Sequence, residues 1–203
     1  MRVKIIFNDK NKGVAYSRNK AISIAHGEYI AFLDCDDYWE TNKIEVQLNF
    51  MLTHGYDFSH TTYQVLNYNG KIVSTIRAQG IIKYKELLRS CDIGLSSVIL
   101  KRNLLKNMKF PELKTKEDFV LWLALAKKSV NLIGLDKSLM FWRQIPNSLS
   151  SSIMQKLSDA YKVYYYYENK NFFYSIFYII RLSTYALFKK INLYLSFFKL
   201  QKQ

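Results

Sequence analysis

The sequence feature that most constrains the fold is the run from Glu28 to Asp37, which reads EYIAFLDCDD. Its largely apolar part, Tyr29 to Asp34, is too short for a buried helix and predicts a covered central β-strand. Three carboxylates, those of Asp34, Asp36 and Asp37, stand within its last four positions. Polar groups at the carboxyl end of a buried strand are typical of ligand sites in open α/β sheets. The run therefore predicts an α/β fold with a functional site at this strand end.

The crowded acids have two explanations at the level of spacing. Carboxylates this close repel one another, and a bound Mg²⁺ or Mn²⁺ would relieve the repulsion because such ions prefer hard oxygen ligands. Alternatively, the acids form a polar turn in which Asp37 caps a helix that begins near Trp39. Spacing alone leaves both explanations open.

Composition narrows the class of protein. A chain of 203 residues with 49% hydrophobic side chains fits one domain, or one domain with an appendage, and excludes wholesale disorder. The formal charge of +14 favours an anionic partner: nucleic acid, an acidic membrane surface or a phosphate-bearing substrate. Two cysteines, Cys35 and Cys91, form no disulfide framework and indicate a cytoplasmic location. The two commonest nucleotide-binding fingerprints, the Walker loop and G-x-G-x-x-G, are absent from the sequence.

The first half of the chain predicts alternating strands and helices. A β-rich run at 3–7 and a helical pattern at 14–26 precede the acidic strand, so residues 3–34 predict a parallel strand–helix–strand unit. A second amphipathic helix is predicted over 39–53, with its apolar face at Ile44, Leu48, Met51 and Leu52. Asn69-Gly70 lies between two β-rich runs at 57–77 and predicts a hairpin.

The second half contains a further helix whose first turn is acidic. A helix is predicted over 114–128 with Thr115 as its N-cap, which puts Glu117 and Asp118 in its first turn. Acids there are favoured by the helix dipole, by about 0.3–1 kcal/mol. A carboxylate in that position is also rigid and exposed, as a general base must be. Short strands are predicted at 94–100, 131–135 and 138–142, and a domain boundary at the serines of 150–152.

The remaining segment, 153–203, predicts a basic and aromatic helical tail. Residues 151–203 carry eight Lys and Arg against two Asp and Glu. The apolar run at 172–188 is at the lower length limit for a bilayer span, and Arg181 lies inside it, so spanning is disfavoured. Aromatic rings with flanking lysines predict an interfacial helix on anionic lipid. The alternative is a helix packed on the core of the domain itself.

Several of these motifs together resemble the family 2 glycosyltransferases in order and spacing. The resemblance covers about residues 3–152, and its combination of motifs is specific although each motif is weak alone. The matching segments are Asn11-Lys12-Gly13, Ser17-Arg18-Asn19, the run from Gly27 to Asp37, Trp39 to Gln47, Lys116-Glu117-Asp118 with Leu121-Trp122, and Trp142-Arg143 with Asn147-Ser148-Leu149-Ser150.

The resemblance implies the GT-A fold, a Rossmann-like, mostly parallel sheet flanked by helices, over residues 1–152. It also implies transfer of a sugar from a nucleotide-sugar donor to a glycan or lipid-linked acceptor in bacterial surface polysaccharide synthesis, usually with inversion. The enzyme would work in the cytoplasm, peripherally on the inner face of the cell membrane. Its cofactor would be a divalent cation, Mn²⁺ or Mg²⁺.

Residue roles follow from the same resemblance. Asp36 would be the main metal ligand of a D-x-D element, with Asp34 facing the metal or the ribose and Asp37 supporting both. Arg18 and Arg143 would contact the nucleotide-sugar. Asp118 would be the catalytic base.

The chain departs from the family pattern at its start. Family members normally begin with a further strand–helix–strand unit that lines the nucleotide base, whereas Met1 here falls almost directly before Asn11-Lys12-Gly13. The expectation is an N-terminally truncated GT-A domain, and a catalytically inactive remnant is the alternative to an active enzyme. Nucleic-acid binding is disfavoured because the strand-end acids oppose phosphate and no recognition motif appears.

Overall fold

The computed structural model describes residues 3–78, 80–145 and 152–200, with side chains up to residue 188. In these ranges a sheet of seven strands runs in the order β1-β6-β3-β7-β2, with β4 beside β3 and β5 beside β7. The strands are β1 (Tyr29–Ala31), β2 (Tyr38–Trp39), β3 (Phe58–Leu66), β4 (Ile72–Ile76), β5 (Gly80–Ile82), β6 (Ile99–Lys101) and β7 (Leu132–Arg143). The α-helices are α1 (Val14–Ser23), α2 (Lys43–His54), α3 (Tyr84–Leu87), α4 (Glu117–Lys127), α5 (Ile153–Lys162) and α6 (Phe172–Leu200). The predicted α/β class is confirmed.

The strand pairing is mixed rather than mostly parallel. Among the described residues, β3 and β7 form the parallel pair, and each of the other pairs is antiparallel. Strand β6 lies between β1 and β3 and runs against both of them. A short 3₁₀ turn at Leu95–Ser97, rather than a crossover helix, leads into β6, so the chain can enter the sheet from the opposite end.

Strand β1 precedes the acidic cluster, but it lies at an end of the described sheet instead of its centre. Its burial alternates: Ile30 and Phe32 are buried, whereas Ala31 and Leu33 are exposed. The prediction of a fully covered strand was therefore wrong, because an apolar run does not distinguish one buried face from two. The residues 3–7 are not a strand in the structure, and Phe7 is 81% exposed. The predicted parallel unit over 3–34 is thus not formed among the described residues.

Helix α2 turns a polar face toward the sheet. The predicted apolar face was wrong at Ile44 and Leu52, which are exposed, while Lys43 and Gln47 are completely buried. Gln47 Nε2 donates to the backbone oxygens of Ser59 and Ser97, and Lys43 Nζ donates to Gln47 Oε1 at 2.8 Å. These bonds give the backbone oxygens of Ser59, in β3, and Ser97, just before β6, a buried hydrogen-bond donor. Burial lowers the pKa of Lys43 to about 7.

The hairpin and the long strand define the middle of the sheet. Strands β3 and β4 pair antiparallel around Asn69 and Gly70, as predicted, and Gly70 has the positive φ of 74° that such a turn requires. The two short strands predicted at 131–135 and 138–142 are one continuous strand, β7. Its register against β3 shifts near Thr61–Tyr63, so an irregularity inside one strand was interpreted from sequence as a gap between two.

Helix α4 is buried on more than one side. Trp122 packs edge-on against Phe58 of β3, with ring centroids 5.2 Å apart, and Phe119 packs against Tyr164 at 6.3 Å. The helix therefore lies between the sheet and the π-helical turn Val163–Tyr167. Its buried positions, Phe119, Leu121, Trp122, Leu123 and Leu125, accordingly cover more than one face of the helix.

The C-terminal helices start on the domain and end with an exposed aromatic face. Val163 and Tyr164 are completely buried in the core, and Tyr178 of α6 stacks on Tyr164 at 5.1 Å. On the outer face of α6, Phe173 is 80% exposed and Phe177 55% exposed. Within the described residues, no helix combines the length and apolarity of a bilayer span. The boundary predicted at 150–152 falls largely in 146–151, outside the described residues.

Candidate active site

The acidic strand end and the start of α4 line one cleft of about 610 Å³. The sequence separates these two elements by about eighty residues, and the sheet brings them together. The acidic and basic side chains that the sequence singled out and that line the cleft are Arg18, Asp34, Asp36, Asp37, Glu117 and Asp118.

Ser96 organises the acidic cluster. Its hydroxyl donates to Asp37 Oδ2 at 2.6 Å and accepts from the backbone N–H of Asp34 at 3.1 Å. Its carbonyl accepts from Trp39 Nε1 at 2.7 Å. One buried serine thus fixes Asp34 and Asp37 relative to each other. Sequence reasoning missed Ser96, because a serine in an irregular segment carries no periodic signal.

Both carboxylate oxygens of Asp37 accept hydrogen bonds from the protein, one from Ser96 and one from the backbone N–H of Arg143. Burial raises its pKa to about 6, against the hydrogen bonds from Ser96 and from the backbone N–H of Arg143, which lower it. The negative charges of Asp34 and Asp36 raise the pKa further. The alternative prediction, that Asp37 caps α2, was wrong because β2 intervenes and α2 begins only at Lys43.

Asp36 differs from its neighbours because its carboxylate has no hydrogen-bond or ion-pair partner within the described part of the chain. Its backbone oxygen is used instead, accepting from Arg143 Nε. A half-buried carboxylate of this kind, held by its backbone in a cleft, suits a hard divalent cation that takes its other ligands from phosphate and water. No group of three His, Cys, Asp or Glu side chains poised to hold a metal occurs across residues 3–78, 80–145 and 152–200. The donor set present fits a cation shared with a substrate better than one held by protein alone.

Arg18 of α1 joins the two halves of the cleft. Its Nη2 lies 2.5 Å from Asp34 Oδ1, and its Nη1 donates to Glu117 Oε1. The side chains of Arg18 and Glu117 are 14% and 9% exposed, so this bridge is largely withdrawn from solvent. The predicted nucleotide contact of Arg18 stays a prediction, and the structure gives the side chain a bridging position.

The two acids at the start of α4 have different surroundings. Glu117 is buried and paired with Arg18. Asp118 lines the cleft and accepts the backbone N–H of Phe119 at 2.7 Å, and it has no ion pair among the described residues. Burial raises the pKa of Asp118, while the Phe119 N–H and the charges of Arg18 and Lys116 oppose the rise. A carboxylate of raised pKa with a vacant oxygen is a stronger proton acceptor than an ordinary surface aspartate.

Arg143 lies at the rim of the site, exposed, at the end of β7. Its two contacts, both to the acidic turn, orient that turn from the side of β7. The other part of this matching segment, Asn147 to Ser150, lies outside the described residues. Two cleft residues from the C-terminal helices, Lys156 and Leu182, were not predicted from sequence. Contacts between elements so far apart along the chain leave no local pattern.

Comparison with known proteins identifies the family. The model of glycosyl transferase family 2 matches residues 1–112. The chain is 30% identical over 191 residues to TuaG of Bacillus subtilis, whose name assigns it to teichuronic acid biosynthesis; the match covers 94% of this chain and 76% of TuaG. The chain therefore belongs to glycosyltransferase family 2.

Two further similarities cover the chain over most of its length but span only part of the matched proteins. It is 37% identical over 163 residues to WfgD of Escherichia coli, named as a UDP-Glc:α-D-GlcNAc-diphosphoundecaprenol β-1,3-glucosyltransferase, covering 80% of this chain and 64% of WfgD. Staphylococcus aureus TarS 1–349, crystallised with UDP-GlcNAc, aligns with a TM-score of 0.56 at 23% identity, over 74% of this chain and 44% of TarS. The latter similarity confirms the GT-A-like fold.

Proposed function

We propose that the protein transfers a sugar from a nucleotide-sugar to a hydroxyl of a lipid-linked or glycan acceptor during bacterial surface polysaccharide synthesis. The observation that carries the proposal is the cleft itself, in which the carboxylates of Asp36 and Asp118, neither of which has an ion-pair partner among the described residues, line one space. Support comes from relatives whose names specify teichuronic acid biosynthesis and a diphosphoundecaprenol acceptor. The inactive remnant is the alternative that the experiment below tests.

The acidic turn would receive the diphosphate of the donor. A divalent cation bound there supplies Lewis-acid stabilisation of the negative charge that grows on the departing nucleoside diphosphate. Asp36 would be its ligand, with Asp34 as the second oxygen source. Asp34 shares its charge with Arg18, so Asp36 is the better donor of the two. Ser96 and Arg143 hold the turn in place and reduce the reorganisation needed on binding.

Asp118 would remove the proton of the acceptor hydroxyl. Attack from the face opposite the leaving group requires a base on the acceptor side of the sugar, and it inverts the anomeric centre. Burial raises the pKa of both acids, but Glu117 is ion-paired with Arg18, so Asp118 is the better candidate for the base. Arg18 would contact the donor while keeping the two halves of the site in register.

The exposed aromatic face of α6 would place the enzyme on the cytoplasmic surface of the membrane. Its exposed apolar side chains include Phe173, Phe177 and Ile180. The net charge of +14 favours an anionic surface and disfavours association with a second copy of the same basic chain. A lipid-linked acceptor would then be reached from the surface in which its lipid is embedded.

Calorimetry with UDP tests the donor side of the proposal. We expect heat of binding in the presence of Mn²⁺, none with EDTA, and loss of binding in Asp36→Asn. The matched control is Asp57→Asn, since Asp57 pairs with Lys101 away from the cleft, and it should bind UDP normally. UDP binding that is indifferent to both chelator and Asp36→Asn would contradict the assignment of Asp36, and a complete lack of UDP binding would favour the inactive remnant.

A further inference from the structure

The cleft that holds the acids is also lined by three lysines, Lys114, Lys116 and Lys156. Lys114 and Lys116 come just before α4, and Lys156 comes from α5. Lys116 is close enough to Asp118 for its charge to act on that carboxyl. The cleft therefore contains cations as well as acids, and one of the cations lies near the candidate base.

The backbone at Lys116 has an unusual conformation. Lys116 is the N-cap of α4 and has φ 65° and ψ 16°, in the left-handed region that residues with a Cβ rarely adopt. Such conformations persist where surrounding contacts fix them, and they are concentrated at functional sites. The residue immediately before the acid pair is thus held in place rather than free to relax.

The contact that fixes this segment comes from α5. Asp159 is completely buried, and its Oδ2 accepts from the backbone N–H of Thr115 at 2.9 Å and from the Thr115 hydroxyl at 3.0 Å. Gln155 Nε2 donates to the same oxygen at 2.9 Å. Thr115 lies between the two lysines that precede α4, and Lys156 lies one helical turn before Asp159. The bond between α5 and Thr115 therefore sets the positions of all three lysines together.

We propose that Lys114, Lys116 and Lys156 form a subsite for the phosphate groups of the acceptor. The inference rests on the proposed transferase function, in which the donor diphosphate is taken by the acidic turn. A second anion in the same cleft would be recognised by ammonium groups, which bind phosphate as point charges. Phosphate held there would bring the attached sugar to Asp118. Asp159 acts in this arrangement as a positioning residue.

Binding of anions without metal tests the subsite directly. Inorganic pyrophosphate and a short-chain prenyl diphosphate in detergent are titrated in EDTA, where the acidic turn cannot hold a diphosphate. We expect the wild type to bind both probes, and each of K114Q, K116Q and K156Q to weaken binding by about tenfold, the lower end for a charged hydrogen bond. The control is K128Q, an exposed lysine at the opposite end of α4, which should bind as the wild type does.

Steady-state kinetics separate the acceptor from the donor as the source of the anion. The three substitutions should raise the KM for acceptor and leave the KM for donor unchanged, whereas Asp36→Asn should do the reverse. Loss of pyrophosphate binding in a variant that combines K114Q, K116Q and K156Q supports the subsite even if no transfer is detected. Pyrophosphate binding that all three substitutions leave intact, or a rise confined to the donor KM, would overturn it.

Discussion

Nη2 of Arg18 lies 2.5 Å from Oδ1 of Asp34, so a helix near the start of the described chain is bonded directly to the first acid of the candidate metal-binding turn. The other guanidinium nitrogen of Arg18 donates to Glu117, at the start of α4. One side chain thus connects the candidate donor side of the cleft with the candidate acceptor side. The connection is mostly buried, and it gives Arg18 a structural role besides any contact with substrate.

Replacing Arg18 should destabilise the fold measurably. Arg18→Met leaves Glu117 buried without its cation, and we expect the free energy of unfolding to fall by about 2–3 kcal/mol, below the usual 3–5 kcal/mol because Asp34 is partly solvated. Urea denaturation measures the change. The double variant with Glu117→Met should recover part of the loss, since the orphaned charge is then gone.

Arg77→Met is the matched control for this substitution. Arg77 also pairs with an aspartate, Asp136, but its side chain is 69% exposed. An exposed pair contributes about 0–1 kcal/mol, so the control should unfold nearly as the wild type does. Equal losses for Arg18→Met and Arg77→Met would contradict a special role for the bridge.

Asp37 should make stability depend on pH in a defined direction. Burial raises its folded-state pKa to about 6, above an unfolded value of about 4. The stability it contributes is therefore fully present below about pH 4 and is lost as the pH rises through about 6. Relative to Asp37→Asn, the wild type should lose free energy of unfolding between these two values. Denaturant titrations at pH 4, 5, 6 and 7 measure the difference.

Asp159 should make stability depend on pH in the opposite direction. Burial alone would raise the pKa of Asp159, but hydrogen bonds from Gln155 and Thr115 and the charge of Lys162 lower it overall. The stability it contributes is present above about pH 4 and is lost as the pH falls through its lowered pKa. Asp159→Asn should thus cost most near neutral pH and least in acid. If both variants shifted in the same direction with pH, the assignment of one environment would be wrong.

Membrane association should depend on the outer face of α6. Phe173→Ser with Phe177→Ser removes two exposed rings, and we expect binding to anionic vesicles to fall by about tenfold or more, because each ring buries apolar area in the interface. Flotation with vesicles of defined charge measures the binding, which should also weaken in high salt. Point substitutions are preferable to deleting 153–203, because Val163 and Tyr164 belong to the core.

Tyr68→Ser is the control for the helix variant. Tyr68 is 77% exposed in the β3–β4 turn, away from α6. Its loss should leave vesicle binding unchanged. Wild-type binding that is equally strong on neutral vesicles would contradict an electrostatic surface anchor.

Local sequence signals predicted much of the fold but little of how its parts meet. The Asn69-Gly70 turn and the acidic first turn of α4 were found because turn chemistry and helix-start composition are local. The N-cap predicted at Thr115 was wrong: Lys116 is the N-cap, and Thr115 bonds the buried Asp159 instead. The position of β1 at an end of the described sheet was not predicted, because an apolar run of six residues fits a central or a peripheral strand equally well.

The same distinction applies to the site. The carboxylates at 34, 36, 37, 117 and 118 were found by composition and family resemblance, yet only the fold reveals which of them are already paired. Lys43 and Gln47 illustrate the difficulty, since the predicted apolar face of their helix did not include them and the structure buries them in a polar network. Burial that is compensated by hydrogen bonds leaves no hydrophobic signal.

The measurement that tests the central claim most directly compares Asp118→Asn with Glu117→Gln in a transfer assay. The assay supplies a UDP-sugar, Mn²⁺ and a lipid-linked acceptor and follows release of UDP. We expect Asp118→Asn to lower kcat by about 100-fold or more, the span of a general base, with donor KM unchanged. Glu117→Gln should cost mainly stability through Arg18 and lower kcat much less. A larger loss of turnover in Glu117→Gln than in Asp118→Asn would contradict the account.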